Sequence, residues 1–297
     1  MLNFQDFTTE FRQKFQKYTS NCEYRSCDLA FANLFVWKFY YSTQMAENEG
    51  FIFIKYCFRD KLYFMLPIGN GDLKKAVELI MENAEQEAKP FRLQGLSPKM
   101  HENVEKLFPC KFEYFSNRDY FDYIYLREEL ATLAGKKFQP KRNHINQFLR
   151  NFPNHEFLEI SPEIIPQCLA LEWLLLSKND NPQEAVALEA ECRAITTAFD
   201  NFQQLDLQGL ALKVNDKIVA FTYGSPISGC VFDVAVEKAD TSIIGAYAAI
   251  NNEFAKRIPQ NFLYINREED LGLEGLRKAK LSYQPVEILE KFTAKLV

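Results

Sequence analysis

Three features that are scarce in this 297-residue sequence limit what the protein does. The three histidines (His101, His144 and His155) have no second ligand type at metal-binding spacing, so we predict no metal site. The seven cysteines include no C-x-x-C pair, and their odd number argues against a disulfide framework. No apolar run approaches the roughly 20 residues that a membrane-spanning helix needs. We therefore expect free thiols, no membrane segment and no Cys/His nucleophilic catalysis.

Neither sign of charge is strongly in excess, with 35 basic and 40 acidic residues and a net charge of −5. An acidic balance opposes non-specific binding to nucleic acid, because such binding is driven by the neutralisation of phosphates. The opening residues, MLNFQDFTTEFRQKF, are typical of an amphipathic helix and lack the basic-then-apolar order of a secretion signal. A cytoplasmic protein is the expectation, and the sequence leaves its oligomeric state open.

Apolar residues are plentiful, at 47% of the chain, and they indicate a well-filled core. Their spacing predicts the order β-β-α-β-α-β-β in the first half, beginning with a hairpin at Phe51. The second half repeats this order behind two helices, the second of which begins at Asn181 and Pro182, and a strand at 286–294 closes its sheet. We predict an α/β (α+β) fold of two units, 1–130 and 131–297, each a mixed, mostly antiparallel sheet flanked by helices.

Four stretches carry a resemblance to a known family: DLAFANLFVW (28–37), KRNHINQF (141–148), VEKADTSIIGAYAAINNEFAKR (236–257) and INREEDLGLEGLRKAKLSYQP (265–285). The sequence resembles the uncharacterised family related to the C-terminal domain of phosphatidylglycerol lysyltransferase. The element order is similar to two tandem acyl-CoA N-acyltransferase (GNAT) units, as in the Fem-type peptidyltransferases. The resemblance implies a transferase whose donor is coenzyme A-bound or tRNA-bound.

The resemblance also implies a donor site at the third strand of the second half and in the loop after it. The strand would pair its main chain with the donor's extended arm, and the loop would hold a pyrophosphate at a helix N-terminus. The residues concerned are Val234, Ala235, Val236, Lys238, Ser242, Ile243, Ile244, Gly245 and Ala246. Ser242 and Tyr247 depart from the family pattern for coenzyme A. The alternative is that Ser242 caps a helix and Gly245 turns the chain.

Charged residues directly follow the strand FLYIN near the C-terminus, which is a common place for catalytic groups. Glu268 and Asp270 are the candidate proton acceptors for acyl transfer to an amine. Asn266 and Arg267 are candidate substrate-binding residues, because a guanidinium holds a carboxylate or phosphate by two hydrogen bonds.

The same stretch continues into a helix that carries two further candidates. In many GNAT enzymes a tyrosine on the last helix protonates the leaving group, and Lys278 is near that position, with Tyr283 as the second choice. The alternative for all these charges is a network of ion pairs that ties the loop to the helix.

A basic segment without acidic residues runs from Leu130 to His155. Lys141 and Arg142 follow Pro140 at the start of a helix, where cations oppose the helix dipole. An anion nearby would relieve this, and a donor phosphate, an RNA end or the acidic surface of the first half would each serve. A solvated helix face is the alternative.

Three functions remain open, and we rank them in this order. The first is transfer of an acyl group from acyl-CoA to an amine acceptor, with coenzyme A as the cofactor and no metal. The second is aminoacyl transfer from tRNA, which the acidic balance disfavours. The third is a non-catalytic binding protein that kept the fold.

Overall fold

The computed structural model describes residues 2–178 and 185–297. The predicted helix start at Asn181 and Pro182 lies outside these residues. The strands are β1 (Gln5–Asp6), β2 (Gln44–Asn48), β3 (Phe51–Phe58), β4 (Lys61–Met65), β5 (Ile68–Gly69), β6 (Arg92–Leu96), β7 (Phe112–Ser116), β8 (Asp122–Leu126), β9 (Glu156–Glu159), β10 (Gln208–Val214), β11 (Lys217–Pro226), β12 (Val231–Ala239), β13 (Tyr264–Asn266), β14 (Glu287–Leu289) and β15 (Phe292–Leu296). The helices are α1 (Arg12–Tyr18), α2 (Phe31–Val36), α3 (Lys38–Tyr41), α4 (Leu73–Gln86), α5 (Pro98–Leu107), α6 (Arg127–Thr132), α7 (Gln139–Asn151), α8 (Ile165–Ser177), α9 (Ala185–Asp200), α10 (Ala246–Arg257) and α11 (Glu274–Leu281). None of these described helices has the length and apolar character needed to cross a bilayer.

Capping residues explain where two of the longer helices begin. Asp72 precedes α4, and its carboxylate accepts a hydrogen bond from the Lys75 amide at 3.1 Å. Ser97 precedes α5 and accepts from the Met100 amide, and Pro98 follows in the first turn, where no N–H is needed. Each cap of this kind contributes about 1 kcal/mol.

The predicted α/β (α+β) class with two mixed sheets is confirmed. The first sheet has the strand order β1-β2-β3-β4-β6-β15-β7, and the second has the order β14-β8-β13-β12-β11-β10-β9. Each sheet contains a strand, a helix and a parallel neighbouring strand that follow one another along the chain. These are β4-α4-β6 and β12-α10-β13, and their recurrence supports the predicted duplication.

The two halves exchange one strand each. β8 pairs with β13 in the second sheet, and β15 pairs with β6 in the first. Each exchanged strand therefore lies beside the parallel strand of the sheet that receives it. The predicted closing strand at 286–294 is wrong, because β14 joins the second sheet and β15 joins the first. For the same reason the sheets do not divide the chain at residue 131.

An apolar cluster between the halves joins them. It includes Phe31 and Ile52 from the first half and Phe199, Phe221 and Val231 from the second, all of them buried. Two other clusters fill the space between the first sheet and its helices α4 and α5, and between the second sheet and α10. Because full burial of a large apolar side chain contributes about 1.5–3 kcal/mol, the joining cluster holds the two halves in one structure.

The strands β12 and β13 separate after a short parallel pairing. β12 extends to Ala239, but β13 pairs only with its first three residues, and Asp233 opposite Asn266 is the last pair. Beyond it, the edge of β12 that faces β13 has no partner strand among the described residues. We call this opening the splay. It leaves one edge of β12 free to pair with the extended arm of a donor, as the resemblance implied, and the sequence alone does not reveal it.

Gly245 adopts a left-handed conformation (φ = +88°) directly before α10. A Cβ at this position would lie 2.5 Å from the backbone oxygen of His144 in α7. The glycine is therefore required by the contact between α7 and α10.

The cysteines differ in one respect from the expectation of free thiols. The sulfur atoms of Cys22 and Cys230 lie at bonding distance, with Cα atoms 5.4 Å apart, and link the first half to the start of β12. The other cysteines are free, and Cys57 and Cys110 among them are exposed. One such pair is not a disulfide framework.

We expect Gly245→Ala to lower the free energy of unfolding by about 1–3 kcal/mol, because both the left-handed conformation and the α7 contact resist a side chain. Gly275→Ala is the control. Gly275 lies in α11, and a Cβ there meets nothing within 4 Å, so alanine is expected to be neutral or stabilising. Urea denaturation measures both effects. Equal stability of Gly245→Ala and wild type would contradict the packing role of this glycine.

Candidate functional site

The candidate site lies at the splay, on the side of the second sheet that faces the first half. The side-chain amide of Asn33 in α2 donates to Asp233 Oδ2 at 3.0 Å and to Glu268 Oε1 at 2.7 Å. Asp233 is fully buried, and its other oxygen, Oδ1, has no hydrogen-bond partner among the residues that the structure describes. A buried polar group left unpaired costs about 1–3 kcal/mol, so this acceptor has a strong preference for a donor.

Both carboxyl groups at Asn33 hold protons more tightly than usual. Burial, and after it the charge of Glu269, raises the pKa of Glu268 to about 8. Burial and the charge of Glu268 raise the pKa of Asp233 well above its ordinary value. A carboxyl group that titrates near neutral pH is suited to proton transfer. Glu268 is therefore mostly protonated at neutral pH, and its role as a proton acceptor stays a prediction.

Lys291 is buried beside this pair and is surrounded by anionic groups. Its Nζ lies 2.9 Å from Asp122 Oδ1 and 3.2 Å from Asp28 Oδ2, and it also contacts the carboxylate of Glu269. Burial opposes the charge on Lys291, but Asp122 and Asp28 outweigh it, so the pKa of Lys291 is raised well above its usual value. Cys27 completes the group, with Sγ 3.3 Å from Asp122 Oδ1.

Three of these groups have the spacing of a metal site. Donor atoms of Cys27, Asp122 and Glu269 all lie within 4.8 Å of one another. The ammonium group of Lys291 contacts all three, so the cluster already contains its cation. Burial also raises the pKa of the Cys27 thiol well above its usual value, which opposes the thiolate form that metals prefer.

The opposite side of the splay is cationic and aromatic. Arg267 Nη2 contacts Glu237 Oε1 at 2.9 Å and so bridges the two separated strands, while Asn251 donates to Glu237 Oε2 at 2.8 Å. The ring of Tyr283 lies between Arg267, at 4.8 Å, and Lys141, at 3.8 Å. Two buried atoms here, Arg267 Nη1 and Asn251 Oδ1, have no hydrogen-bond partner within residues 2–178 and 185–297.

Three residues predicted from the sequence (Lys141, Arg267 and Tyr283) are thus brought together, although they come from distant segments. Burial and the neighbouring guanidinium of Arg267 lower the pKa of Lys141 to about 8. Tyr283 is buried, and burial raises the pKa of its hydroxyl far above the neutral range. Its phenol therefore stays protonated and can act as a donor but not as a base.

Asp270 is placed in a structural network instead of an open site. Its carboxylate receives two hydrogen bonds from Arg277, at 2.7 and 2.8 Å, and one from the Tyr123 hydroxyl at 2.5 Å. Burial opposes its ionisation, but these bonds outweigh it and hold the pKa of Asp270 well below its usual value. Asp270 is therefore a poor proton acceptor, and the ion-pair alternative describes it better.

Asn266 also positions other groups. Its amide donates to Asp122 Oδ2 at 2.8 Å and to the Arg25 carbonyl at 2.7 Å, and its oxygen accepts from the Glu268 amide at 2.7 Å. Asn266 therefore fixes the backbone that carries Glu268, which has a left-handed φ of +54°.

Two predicted residues point away from the splay. Lys278 lies on the exposed side of α11, whereas Lys280, two residues later, is buried and donates to the carbonyls of Arg267 and Glu269. The end of the family motif does not fix the phase of the helix, so the sequence alone does not reveal that Lys278 faces outward. Arg142 binds the backbone carbonyls of Leu133 and Gly135 instead of an external anion.

The predicted phosphate loop carries an anion of its own. Asp240 Oδ1 accepts from the Ser242 amide at 3.0 Å and from its hydroxyl at 2.8 Å. Lys238 pairs with Glu191 at 2.8 Å and with Glu172 at 3.5 Å, so its charge is neutralised within the protein.

The other residues predicted for the donor site differ in their exposure and in their distance from the splay. Val234, Ala235 and Val236 lie in the part of β12 that pairs with β11 on one edge and has its other edge open at the splay. Of the loop residues, Ala246 is buried and Ile244 is exposed, and Ile243 packs on the second core.

The sequence did not point to Asn33, Asp122, Asp233 or Lys291. One signal was available, since Asp233 interrupts the apolar strand VFDVAV. A charge in a buried strand needs a partner, and this is a reason to suspect a site.

A family model described as "Phosphatidylglycerol lysyltransferase, C-terminal" matches residues 19–295. The chain belongs to this family. A conserved protein of unknown function from Bacteroides thetaiotaomicron VPI-5482 is 49% identical over 100% of both chains, with a TM-score of 0.97. The structure of L-PGS from Bacillus licheniformis is 14% identical, covers 98% of this chain and 93% of its own, and has a TM-score of 0.67. FemX is 7% identical at 99% and 97% coverage, with a TM-score of 0.66.

These likenesses confirm the predicted relation and the tandem GNAT-like fold. An uncharacterised protein from Mycoplasmoides gallisepticum is 23% identical over 176 residues, and the match spans 59% of this chain and about half (56%) of that relative. The phosphatidylglycerol lysyltransferase C-terminal family and its fold are those of acyl or aminoacyl transferases.

We expect Lys291→Met to destabilise the protein by about 3–5 kcal/mol, because it leaves buried carboxylates without their cation. Without Lys291, those carboxyl groups have raised pKa values in the folded state, so the stability of the variant is expected to increase as the pH falls. Lys295→Met, at an exposed position in β15, is the control. The double variant Lys291→Met/Asp122→Asn is expected to recover part of the loss. Urea denaturation at pH 5 to 8 tests this, and a small, pH-independent effect would contradict it.

Proposed function

We propose that this protein transfers an aminoacyl group from an RNA ester to a nucleophilic acceptor at the splay. The observation that carries the proposal is the free, buried Oδ1 of Asp233 beside Glu268 at the point where β12 and β13 separate. An aminoacyl group differs from a simple acyl group by its ammonium group. A buried carboxylate with a free acceptor is the partner that such a cation requires.

The charge balance on this side of the splay supports a cationic ligand. Asp233 and Glu268 have raised pKa values because they are buried near other carboxylates, and a bound ammonium group would stabilise their charged forms. The bound cation would lower both pKa values and make Glu268 available as a base.

The transfer moves one proton, and it replaces the ester bond to the ribose with a bond to the acceptor. The acceptor's nucleophile attacks the ester carbonyl and gives its proton to Glu268. The carbon–oxygen bond to the ribose then breaks, and Glu268 returns the same proton to the departing ribose oxygen. Arg267 Nη1, a buried donor without a partner, lies at the splay and is the candidate to stabilise the negative charge that develops on the carbonyl oxygen.

The loop before α10 favours an RNA ester over acyl-CoA. The Asp240 carboxylate occupies the Ser242 amide, and a pyrophosphate there would meet a negative charge. Acyl-CoA as the donor stays a prediction, as does an amine as the acceptor, and direct titration tests the first of them.

Binding of a small donor mimic tests the amine contact. We expect a non-hydrolysable 3′-aminoacylamido-adenosine to bind, and both N-acetylation of this mimic and Asp233→Asn to weaken binding by about 10- to 100-fold, through loss of a charged hydrogen bond. Asp216→Asn, at a fully exposed turn, is the control. Isothermal titration calorimetry measures the affinities, with coenzyme A and acetyl-CoA titrated in parallel. Tight binding of acetyl-CoA, with none of the adenosine amide, would reject an RNA donor in favour of coenzyme A.

The pH dependence of the rate tests the role of Glu268. With charged tRNA as donor and ethanolamine as a surrogate acceptor, kcat/KM is expected to rise through a pKa near 8, because Glu268 of the free protein must lose its proton. The rise in kcat is expected at lower pH, because the bound ammonium group lowers this pKa. Glu268→Gln is expected to lower kcat by about 10²- to 10⁴-fold. Glu274→Gln, an exposed acid at the start of α11, is expected to retain the wild-type rate. A Glu268→Gln variant with the wild-type rate would exclude this residue as the base.

A further inference from the structure

The first sheet has one face covered by α4 and α5, and part of its opposite face is open. Five side chains, one from each of five adjacent strands, form a row across this open part, which we call the sheet-face row. They are Tyr56 (β3), Tyr63 (β4), Arg92 (β6), Lys295 (β15) and Phe115 (β7). The strand register places Tyr56 opposite Tyr63 and Arg92 opposite Lys295.

Aromatic rings and cations are in contact along the row. The rings of Tyr56 and Tyr63 are stacked, with centroids 5.4 Å apart and planes at 12°. Arg92 lies 5.7 Å from the Tyr63 ring, and Lys295 lies 4.0 Å from the Phe115 ring. Phe115 is 41% exposed, an unusual position for a phenylalanine on a regular strand. The rings are therefore held at strand spacing, and Phe115 is the most exposed of them, whereas Tyr56 and Tyr63 are partly buried.

The local charge is opposite to that of the whole protein. The open part of the sheet carries Lys61, Arg92 and Lys295, and Glu113 is the one acidic side chain among the described residues of these strands that shares this face. The chain as a whole has a net charge of −5. A locally basic, aromatic face on an acidic protein is complementary to a polyanion that carries flat rings.

The row ends near the candidate site. A Cβ at Gly95, in the same strand as Arg92, would lie 2.9 Å from Asp28 Oδ2, and Asp28 pairs with Lys291 at 3.2 Å. Tyr41 packs on Tyr56, with ring centroids 5.8 Å apart, and extends the aromatic surface. A ligand on the row is therefore close to the polar cluster beside the splay.

We propose that the sheet-face row binds the single-stranded 3′ end of the donor RNA, which stacks its bases on Tyr63 and Phe115 and pairs its phosphates with Arg92 and Lys295. The inference rests on the proposed function, and it adds a surface and a mode of recognition. Aromatic side chains on an open sheet face stack successive bases of single-stranded RNA, and cations beside them track the backbone. A short single-stranded end needs few phosphate contacts, so it is compatible with the acidic balance of the chain.

Fluorescence anisotropy with a labelled, uncharged single-stranded oligoribonucleotide that ends in CCA tests the surface. We expect Tyr63→Ala and Phe115→Ala each to weaken binding by about 10-fold, through loss of one stacked base, and Tyr63→Phe to retain it. Lys295→Glu is expected to reduce the dependence of log K on log salt concentration by about 0.7, the value for one phosphate contact. Trp173→Ala, which removes a 57% exposed aromatic side chain on α8, is the control and is expected to change nothing.

Uncharged RNA carries no aminoacyl group, so this measurement is independent of catalysis. Loss of RNA binding in the row variants supports the surface even if charged RNA is never deacylated, in which case the proposed function alone fails. If the adenosine amide binds through Asp233 but every row variant binds RNA as wild type does, the surface proposal is overturned and the function stands. Binding to phosphatidylglycerol vesicles that depends on the row, without binding to RNA, would also overturn it.

Discussion

The ion pair between Lys291 and Asp122 is the interaction on which the two-sheet architecture depends. Asp122 is the first residue of β8, and Lys291 directly precedes β15, so the pair lies where both exchanged strands begin. Burial alone would raise the pKa of Asp122, but Lys291 and a hydrogen bond from Asn266 outweigh it and keep the pKa below its ordinary value. Because the same lysine also contacts Asp28 and Glu269, it fixes both the crossing of the strands and the residue next to Glu268. The buried ammonium group of Lys291 therefore contributes both to the fold and to the candidate site.

The splay separates two environments of opposite charge. On one side, Asp233 and Glu268 share the amide of Asn33, and on the other, Arg267 and Lys141 enclose the ring of Tyr283. Unpaired buried atoms lie on both sides, an acceptor at Asp233 and a donor at Arg267. Groups of this kind are costly unless a ligand satisfies them. The arrangement is therefore more consistent with a binding site than with packing alone.

The sequence predicted the fold better than the site, and particular residues show why. Periodicity is a local property, so α4, α5 and the hairpin β3–β4 follow from the spacing of apolar residues. The exchange of β8 and β15 depends on pairing between distant segments, which no local pattern reveals. Glu268, Arg267, Lys141 and Tyr283, which do lie at the splay, were predicted because they carry charge or lie within a family motif. Asn33 and Asp233 were not predicted, because the contact between them joins segments 200 residues apart, and the exposed position of Lys278 depends on a helix phase that the motif does not fix.

The exchange of strands also has a consequence for the order of folding during synthesis. β15 lies between β6 and β7, which precede it by the whole second half of the chain. Until residue 292 has left the ribosome, β6 and β7 each have an edge whose backbone groups lack their partner, and such edges promote aggregation. The first sheet to be translated is thus the last to be completed. A nascent chain of this kind needs protection by a chaperone, or rapid translation of its second half, more than a protein whose halves fold in turn.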